Sequence, residues 1–417
     1  MLDTLGFPVD EEYVRRQVRT ARRAKRAVKE ARSQWRNVRW DGLFREDTPI
    51  TADSVDDVER LCSQEAPVND DVVRLARMGI PPLLRSRVWL VCSGATGRWR
   101  QDKDCYARML RKYRRHGSDE DETAAVIQID KDLERTFPEH DEYQDKQGRE
   151  ALRRVLVAYS LRNPTIGYCQ SMNFMAAMLL LVTLTEEEAF WLMVAAVEDL
   201  LPDYFSSSLL GVQVDAKVFV DLVSVHCKKL YAHFQEIGML LELTATQWLM
   251  CLYVGYLPAD CQMRVWDLFF VEGVHILFTV GIGLLNLLET ELLATQTMDE
   301  CVRVLRSGPG SIYDVHKIMQ SAEDVGAHIL THDSINTMRR GHRRAVDKQQ
   351  ASIQADRVLN ELARTGEFSP DELAAMKREF RSLGSRGEDD DTDEDDGTDE
   401  EAGERADGVD KDSCIPF

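Results

Sequence analysis

Residues 151–184 read ALRRVLVAYSLRNPTIGYCQSMNFMAAMLLLVTL. Leu152, Val155, Leu156 and Tyr159 recur at i, i+3, i+4 and i+7, the spacing that lines one face of an α-helix. The pattern stops at Asn163-Pro164, where proline lacks the N–H a helix needs and its ring clashes with the preceding turn. Pro164 and Gly167 then impose a turn, and a second apolar helix opens near Met172. Gln170 is left at the mouth of that buried helix, where a lone polar side chain calls for a reason.

Working outward, helical periodicity persists. Phe219, Leu222, Val223, His226, Leu230 and Phe234 draw another apolar face, on which His226 reads as a satisfied core histidine. Met239 to Leu257 form a further candidate helix ended by Pro258. Thr297 and Glu300 have the spacing of a capping box, in which hydroxyl and carboxylate each satisfy a free amide at a helix start. The longest apolar runs, Met172 to Leu184 and Val274 to Leu288, are too short to span a bilayer and read as buried core helices. No alternating strand pattern of useful length appears, so the fold class is all-α.

Four zones follow from composition. Residues 1–35 are read as a basic N-terminal helix; over 11–39 the arginines and lysines, from Arg15 through Arg36 and on to Arg39, ride on a background free of Gly and Pro. Residues 36–332 are the globular body, long enough and apolar enough to bury a large core. Residues 333–384 are polar helices, including Ser369-Pro370-Asp371-Glu372, a capping box with proline at the first helical position. Residues 385–417 are an acidic tail too poor in apolar surface to fold alone and expected to be disordered.

Charge separates the zones further. From Glu388 onward fifteen acids face only Arg405 and Lys411, so this stretch carries −13 of the formal net charge of −20, leaving −7 for the rest. The folded middle lacks the basic footprint of a nucleic-acid binder. The basic helix could instead attract an anionic membrane, each charge near the surface contributing roughly 1 kcal/mol. The alternatives are a solvated helix packed on the body and a helix screened by the acidic tail. The nine scattered cysteines, never spaced Cys-x-x-Cys, argue for reduced thiols in a cytoplasmic chain and against a zinc site. Met1 to Phe7 lacks the basic-then-apolar order of a signal peptide. Cys414-Ile415-Pro416-Phe417 has the outline of a prenylation box, but proline sits inside it and the upstream run is acidic.

The common catalytic signals are absent from the sequence: no Gly-x-x-x-x-Gly-Lys-Ser/Thr loop, no Gly-x-Ser-x-Gly elbow, no His-Glu-x-x-His. One further segment breaks the core-helix pattern: Ile129-Asp130-Lys131-Asp132-Leu133-Glu134-Arg135-Thr136-Phe137-Pro138. Asp132 and Arg135, three apart, are neighbours on a helix face, so the carboxylate can orient the guanidinium. Thr136-Phe137-Pro138 then ends the helix and leaves Arg135 at its edge, free to project.

These residues resemble the TBC domain, whose characterised members are GTPase-activating proteins for Rab GTPases. Its Ile-x-x-Asp-x-x-Arg pattern is matched by Ile129, Asp132 and Arg135, and its Tyr-x-Gln by Tyr168 and Gln170. In the family's order come Gly79-Ile80-Pro81 with Leu84-Arg85 and Val88-Trp89, then Leu201-Pro202 with Tyr204-Phe205, and Arg264-Val265-Trp266-Asp267 with Glu272-Gly273. The resemblance implies a multi-helix domain over 36–332, with Arg135 as an arginine finger and Gln170 as a glutamine finger. Asp132 and Tyr168 would support them, while Trp89, Trp248, Trp266 and Asp267 read as scaffold. The implied partner is a small Rab-type GTPase in its GTP-bound form, which would bring GTP and Mg²⁺; the chain would need no cofactor of its own. The implied role is control of vesicle trafficking from the cytoplasm, peripheral on endomembranes. Ser171 stands where the family often has glycine. Two rival readings stay open: a module of the same fold that binds a GTPase without accelerating hydrolysis, and a membrane-surface adaptor using the basic helix.

Overall fold

The computed structural model describes residues 3, 5–7, 70–116, 120–206, 208–326, 332–365, 372 and 375–378, and every regular element among them is helical. The basic stretch, the start of the body, residues 369–371 of the second capping box, the acidic tail and Cys414 lie outside the described residues.

The helices run α1 (Asp70–Met78), α2 (Pro82–Cys92), α3 (Ala95–Gln101), α4 (Cys105–His116), α5 (Glu120–Leu133), α6 (Asp141–Gln144), α7 (Lys146–Arg162), α8 (Met172–Val182) and α9 (Glu186–Ala195). A π-helical turn (Ala196–Leu200) closes α9. Then follow α10 (Leu210–His226), α11 (Lys228–Glu236), α12 (Leu241–Met250), α13 (Ala259–Glu272), α14 (His275–Leu287), α15 (Glu289–Leu293), α16 (Met298–Ser307), α17 (Val315–Gly326) and α18 (His332–Thr365). Residues up to Asp347 form one compact unit and those from Lys348 a second. In the second unit the Lys377 ammonium pairs with Asp356 at 2.6 Å.

Within the first unit α7 is the hub of the N-terminal half, with α4, α5, α6, α8 and α9 all packed against it. Its sequence explains the role, because Leu152, Val155, Leu156 and Tyr159 are fully buried. The helix is capped at one end by Asp145, whose Oδ2 accepts from Gln147 N at 2.8 Å, and it stops at Asn163 as the proline requires. The C-terminal half is built on α13 and α14, with α17 laid along α14. That close approach depends on Gly283, where a Cβ would fall 3.0 Å from the Ala322 backbone nitrogen.

The two halves are joined through α13, which packs against α1 and α2. At that junction the fully buried Asp267 carboxylate accepts from Arg85 Nε at 2.8 Å, Trp89 Nε1 at 3.1 Å and Arg264 Nη1 at 3.0 Å. A buried carboxylate is tolerated when its lone pairs are met in this way, and removing such a partner typically costs about 3–5 kcal/mol. Trp89, Trp248 and Trp266 are among the largest fully buried side chains, so the tryptophans and Asp267 are scaffold.

Several local expectations need correction. Met239 to Leu257 is not one helix: α12 ends at Met250, and Leu252 and Tyr253 both adopt left-handed φ, +49° and +64°. Pro258 stands instead at the start of α13. The apolar face from Phe219 to Phe234 belongs to two helices broken at Cys227. His226 is half-buried rather than satisfied: its enclosed Nε2 has no partner, and burial pushes the imidazole pKa down. At the start of α16, Thr297 Oγ1 accepts from Glu300 N at 3.3 Å, while the Glu300 carboxylate reaches back to Gln296 N at 2.8 Å.

Candidate functional site

The last turn of α5 explains how Arg135 projects. Asp132 still belongs to the helix, and its carbonyl accepts from the Thr136 hydroxyl at 2.6 Å and from Arg135 N at 3.3 Å, which rounds off the turn. Phe137 then takes a left-handed φ of +45° and Pro138 follows, so the helix cannot resume. Arg135 lies in this edge with its side chain 51% exposed, while Asp132 is fully buried beneath it. Arg135 Nη2 rests on Asp132 Oδ1 at 2.5 Å. One nitrogen of the guanidinium is thus held, and its Nε and Nη1 donors have no other protein partner among the described residues.

The second segment, 163–171, is anchored at both ends. At its start Asn163 accepts from Gly167 N at 2.8 Å through its carbonyl and from Ile166 N at 3.3 Å through its side chain. The Asn163 amide donates to Glu198 Oε1 at 3.1 Å, and Arg98 Nη1 holds the other Glu198 oxygen at 3.0 Å. Glu198 sits on the π-turn, whose extra residue re-aims side chains relative to a regular helix. At the segment's end Ser171, with φ +85°, occupies the N-cap position of α8 without a side-chain cap. Gln170 is exposed, and its side chain makes no hydrogen bond among the described residues, so a capping role is excluded.

Two bridges fasten these segments together. The Tyr168 hydroxyl donates to Asp132 Oδ2 at 2.7 Å, the oxygen that Arg135 leaves free. Burial, with the Asp132 carboxylate beside it, pushes the Tyr168 pKa far up, so the phenol keeps the proton it donates. The second bridge runs from Asn173 Nδ2 to Thr136 Oγ1 at 2.7 Å, with both residues buried. Asp132 is therefore shared: one carboxylate oxygen orients the arginine, the other receives the tyrosine two residues before Gln170. Sequence reasoning pairs Asp132 with Arg135 and groups Tyr168 with Gln170, but it gives Thr136 only a part in ending the helix and Asn173 no role. For Asn173 the signal is a polar residue inside an otherwise apolar helix start.

The site offers an oriented cation and a free carboxamide on adjoining surface segments. Neither can act as nucleophile or strong base; both can donate hydrogen bonds to a substrate brought from outside. Among the described residues no group of His, Cys, Asp or Glu is arranged to hold a metal ion. No described helix is long and apolar enough to cross a membrane.

The sequence matches the Rab-GTPase-TBC domain over residues 82–293. It is 35% identical over 257 residues to growth hormone-regulated TBC protein 1-A of Danio rerio, covering 60% of this chain and 70% of that one. It is 36% identical over 259 residues to growth hormone-regulated TBC protein 1 of Homo sapiens, covering 61% and 75% respectively. Among solved structures, the Chlamydomonas flagellar RabGAP TBC domain superposes with a TM-score of 0.61 at 27% identity, over 78% of this chain and 99% of that one.

Proposed function

The chain belongs to the Rab-GTPase-TBC domain family, and we propose that it accelerates GTP hydrolysis by a small Rab-type GTPase in its GTP-bound form, contributing Arg135 and Gln170 in trans. The observation that carries this reading is the shared Asp132 carboxylate, which ties the guanidinium of the exposed arginine to the loop segment bearing the exposed glutamine.

The chemistry needs both residue types. Hydrolysis spreads negative charge over the transferring phosphoryl group and the leaving oxygen, and it requires a water aligned for in-line attack. A guanidinium supplies permanent charge with several donors in a fixed plane, which a lysine cannot reproduce. Held by Asp132 through one nitrogen, Arg135 presents the remaining donors outward without first paying to order its side chain. The Gln170 carboxamide can donate to the γ-phosphate and accept from the attacking water at the same time. GTP and Mg²⁺ arrive with the partner. The encounter takes place in the cytoplasm at endomembranes carrying the GTPase, where it would regulate vesicle traffic; the basic N-terminal segment adds a peripheral contact with anionic lipid.

Phosphate release from a panel of GTP-loaded Rab GTPases, measured with wild type, Arg135→Ala and Gln170→Ala, tests the proposal. An arginine finger given in trans contributes about 10³–10⁵ in rate, so Arg135→Ala should remove nearly all stimulation of the responsive GTPase. Loss of one aligned hydrogen-bonding group should cost about 10²–10³ for Gln170→Ala. Equal rates for all three proteins would assign the fold to GTPase binding without catalysis.

A further inference from the structure

The first residues of the chain reach the arginine segment from a distance in sequence that no motif anticipates. Asp3, Leu5, Gly6 and Phe7 are bonded to one another: Asp3 N donates to Phe7 O at 2.9 Å and Gly6 N to Asp3 O at 3.2 Å. The Asp3 carboxylate accepts from Leu5 N and Phe7 N, each at 2.9 Å. The loop is therefore organised by its own bonds before it touches anything else.

It touches the residues immediately after Arg135. The Phe7 ring stands edge-on to Phe137, centroids 5.0 Å apart at 79°, and to His140 at 4.6 Å and 64°. His140 Nδ1 accepts from Glu142 N at 3.2 Å, so the ring proton lies on Nε2, which donates to the Leu5 carbonyl at 2.7 Å. Gly6 makes the approach possible: its φ is +90°, and a Cβ there would stand 3.1 Å from His140 Nε2.

Phe137 is the residue that gains from this contact. Its φ of +45° is unfavourable for a side chain of that size, and such a conformation persists only where its surroundings over-determine it. Phe174 and Tyr143 contact the Phe137 ring from within the body, and Phe7 is the remaining aromatic neighbour. Phe7 and Phe137 also border a common cavity of about 470 Å³ with Met178 and Tyr313, so removing the Phe7 ring would enlarge a space into which Phe137 can relax. A shift at Phe137 passes through one residue, Thr136, to Arg135.

We propose that the loop Asp3–Phe7 is a positioning element for Arg135, fixing Phe137 in its left-handed conformation and with it the direction in which the finger leaves the helix. The proposal rests on the reading of Arg135 as an arginine finger. It makes Phe7 a positioning residue that acts on kcat through the geometry of the 135–137 turn, without contact with the partner.

The test uses the full chain with a responsive Rab GTPase and compares wild type, Phe7→Ala, Phe7→Tyr, Arg135→Ala and the Phe7→Ala/Arg135→Ala double variant. Phe7→Ala should lower kcat about 5- to 10-fold with KM within about twofold, and Phe7→Tyr should restore most of it. The double variant should be no slower than Arg135→Ala alone, because the brace has nothing left to position. Amide hydrogen exchange over residues 135–140 should quicken at least about fivefold in Phe7→Ala, a readout that needs no GTPase activity. Unchanged exchange would overturn the proposal, as would unchanged kcat, or an equal further loss on the Arg135→Ala background. Absence of any Arg135-dependent stimulation by wild type would instead count against the functional reading, and exchange would still decide whether Phe7 holds the turn.

Discussion

Ser171 stands at φ +85° between the exposed Gln170 and the first turn of α8. For an L-residue with a Cβ this region costs roughly 1–2 kcal/mol, and no side-chain cap returns any of it. Its hydroxyl receives only a weak contact from the Cys251 thiol at 3.4 Å. Glycine would remove the strain and lose part of the gain to greater freedom in the unfolded chain. Ser171→Gly should therefore raise stability by about 0.5–1 kcal/mol, read as a higher urea midpoint with an unchanged slope. A lower midpoint would mean that the hydroxyl contributes more than its contacts indicate. The same neighbourhood shows what a residue-level reading can reach. Asp132 and Arg135 are three apart on one helix, so their pairing follows from helical geometry alone. Tyr168 meets Asp132 across thirty-six positions and Asn173 meets Thr136 across thirty-seven, and such partners are defined only once α8 has packed against α5.

At the scale of elements, helices were legible where a strong periodicity met an unambiguous stop. α7 ends at Asn163 because Pro164 follows. α12 ends early for a reason the sequence hides. Leu252 and Tyr253 are good core residues whose left-handed backbone is selected by burial, with the Tyr253 hydroxyl donating to Leu277 O at 2.6 Å. The fastening of α1 to α13 was equally invisible. Arg77 donates twice to Glu272, through Nε at 2.9 Å and Nη2 at 2.6 Å, with His275 also beside the carboxylate. Burial pushes the Glu272 pKa up, but the arginine bonds and His275 outweigh it, so the carboxyl lies below its ordinary 4.5. A carboxyl depressed in the folded state binds its proton more readily when unfolded. Its stabilisation is thus present above the unfolded value and lost as pH falls through the folded one. Glu272→Gln should unfold at lower urea than wild type near pH 6, and the gap should close as pH falls below about 4. A gap of constant size across that range would show that the pair contributes through shape and not through charge.

For the molecule as a whole, the matched domain and the compact body do not end at the same place. The family match stops at residue 293, whereas the first compact unit continues to Asp347. The composition turns polar near 333, and the reason this does not mark the edge of the body is that the first half of α18 docks through charge. Arg339 donates to Asp215 through Nε at 2.6 Å and Nη2 at 2.5 Å, and the buried Tyr204 hydroxyl donates to the same carboxylate. His342 meets Asp221 at 2.6 Å and Arg343 meets Asp203 at 2.7 Å. Hydrophobic periodicity cannot register contacts of this kind. With α18 in place Asp215 and Tyr204 are almost wholly buried, and a chain ending after Thr331 strips that carboxylate of its cation. That loss typically costs about 3–5 kcal/mol, much more than the removal of a solvated polar helix. A chain ending after Asp347 keeps all three pairs. Thermal unfolding should therefore place the 347-terminated protein close to full length and the 331-terminated one well below it, with Arg339→Met on the full chain accounting for most of that drop. Equal midpoints for the two shortened chains would mean that α18 lies on the body without supporting it.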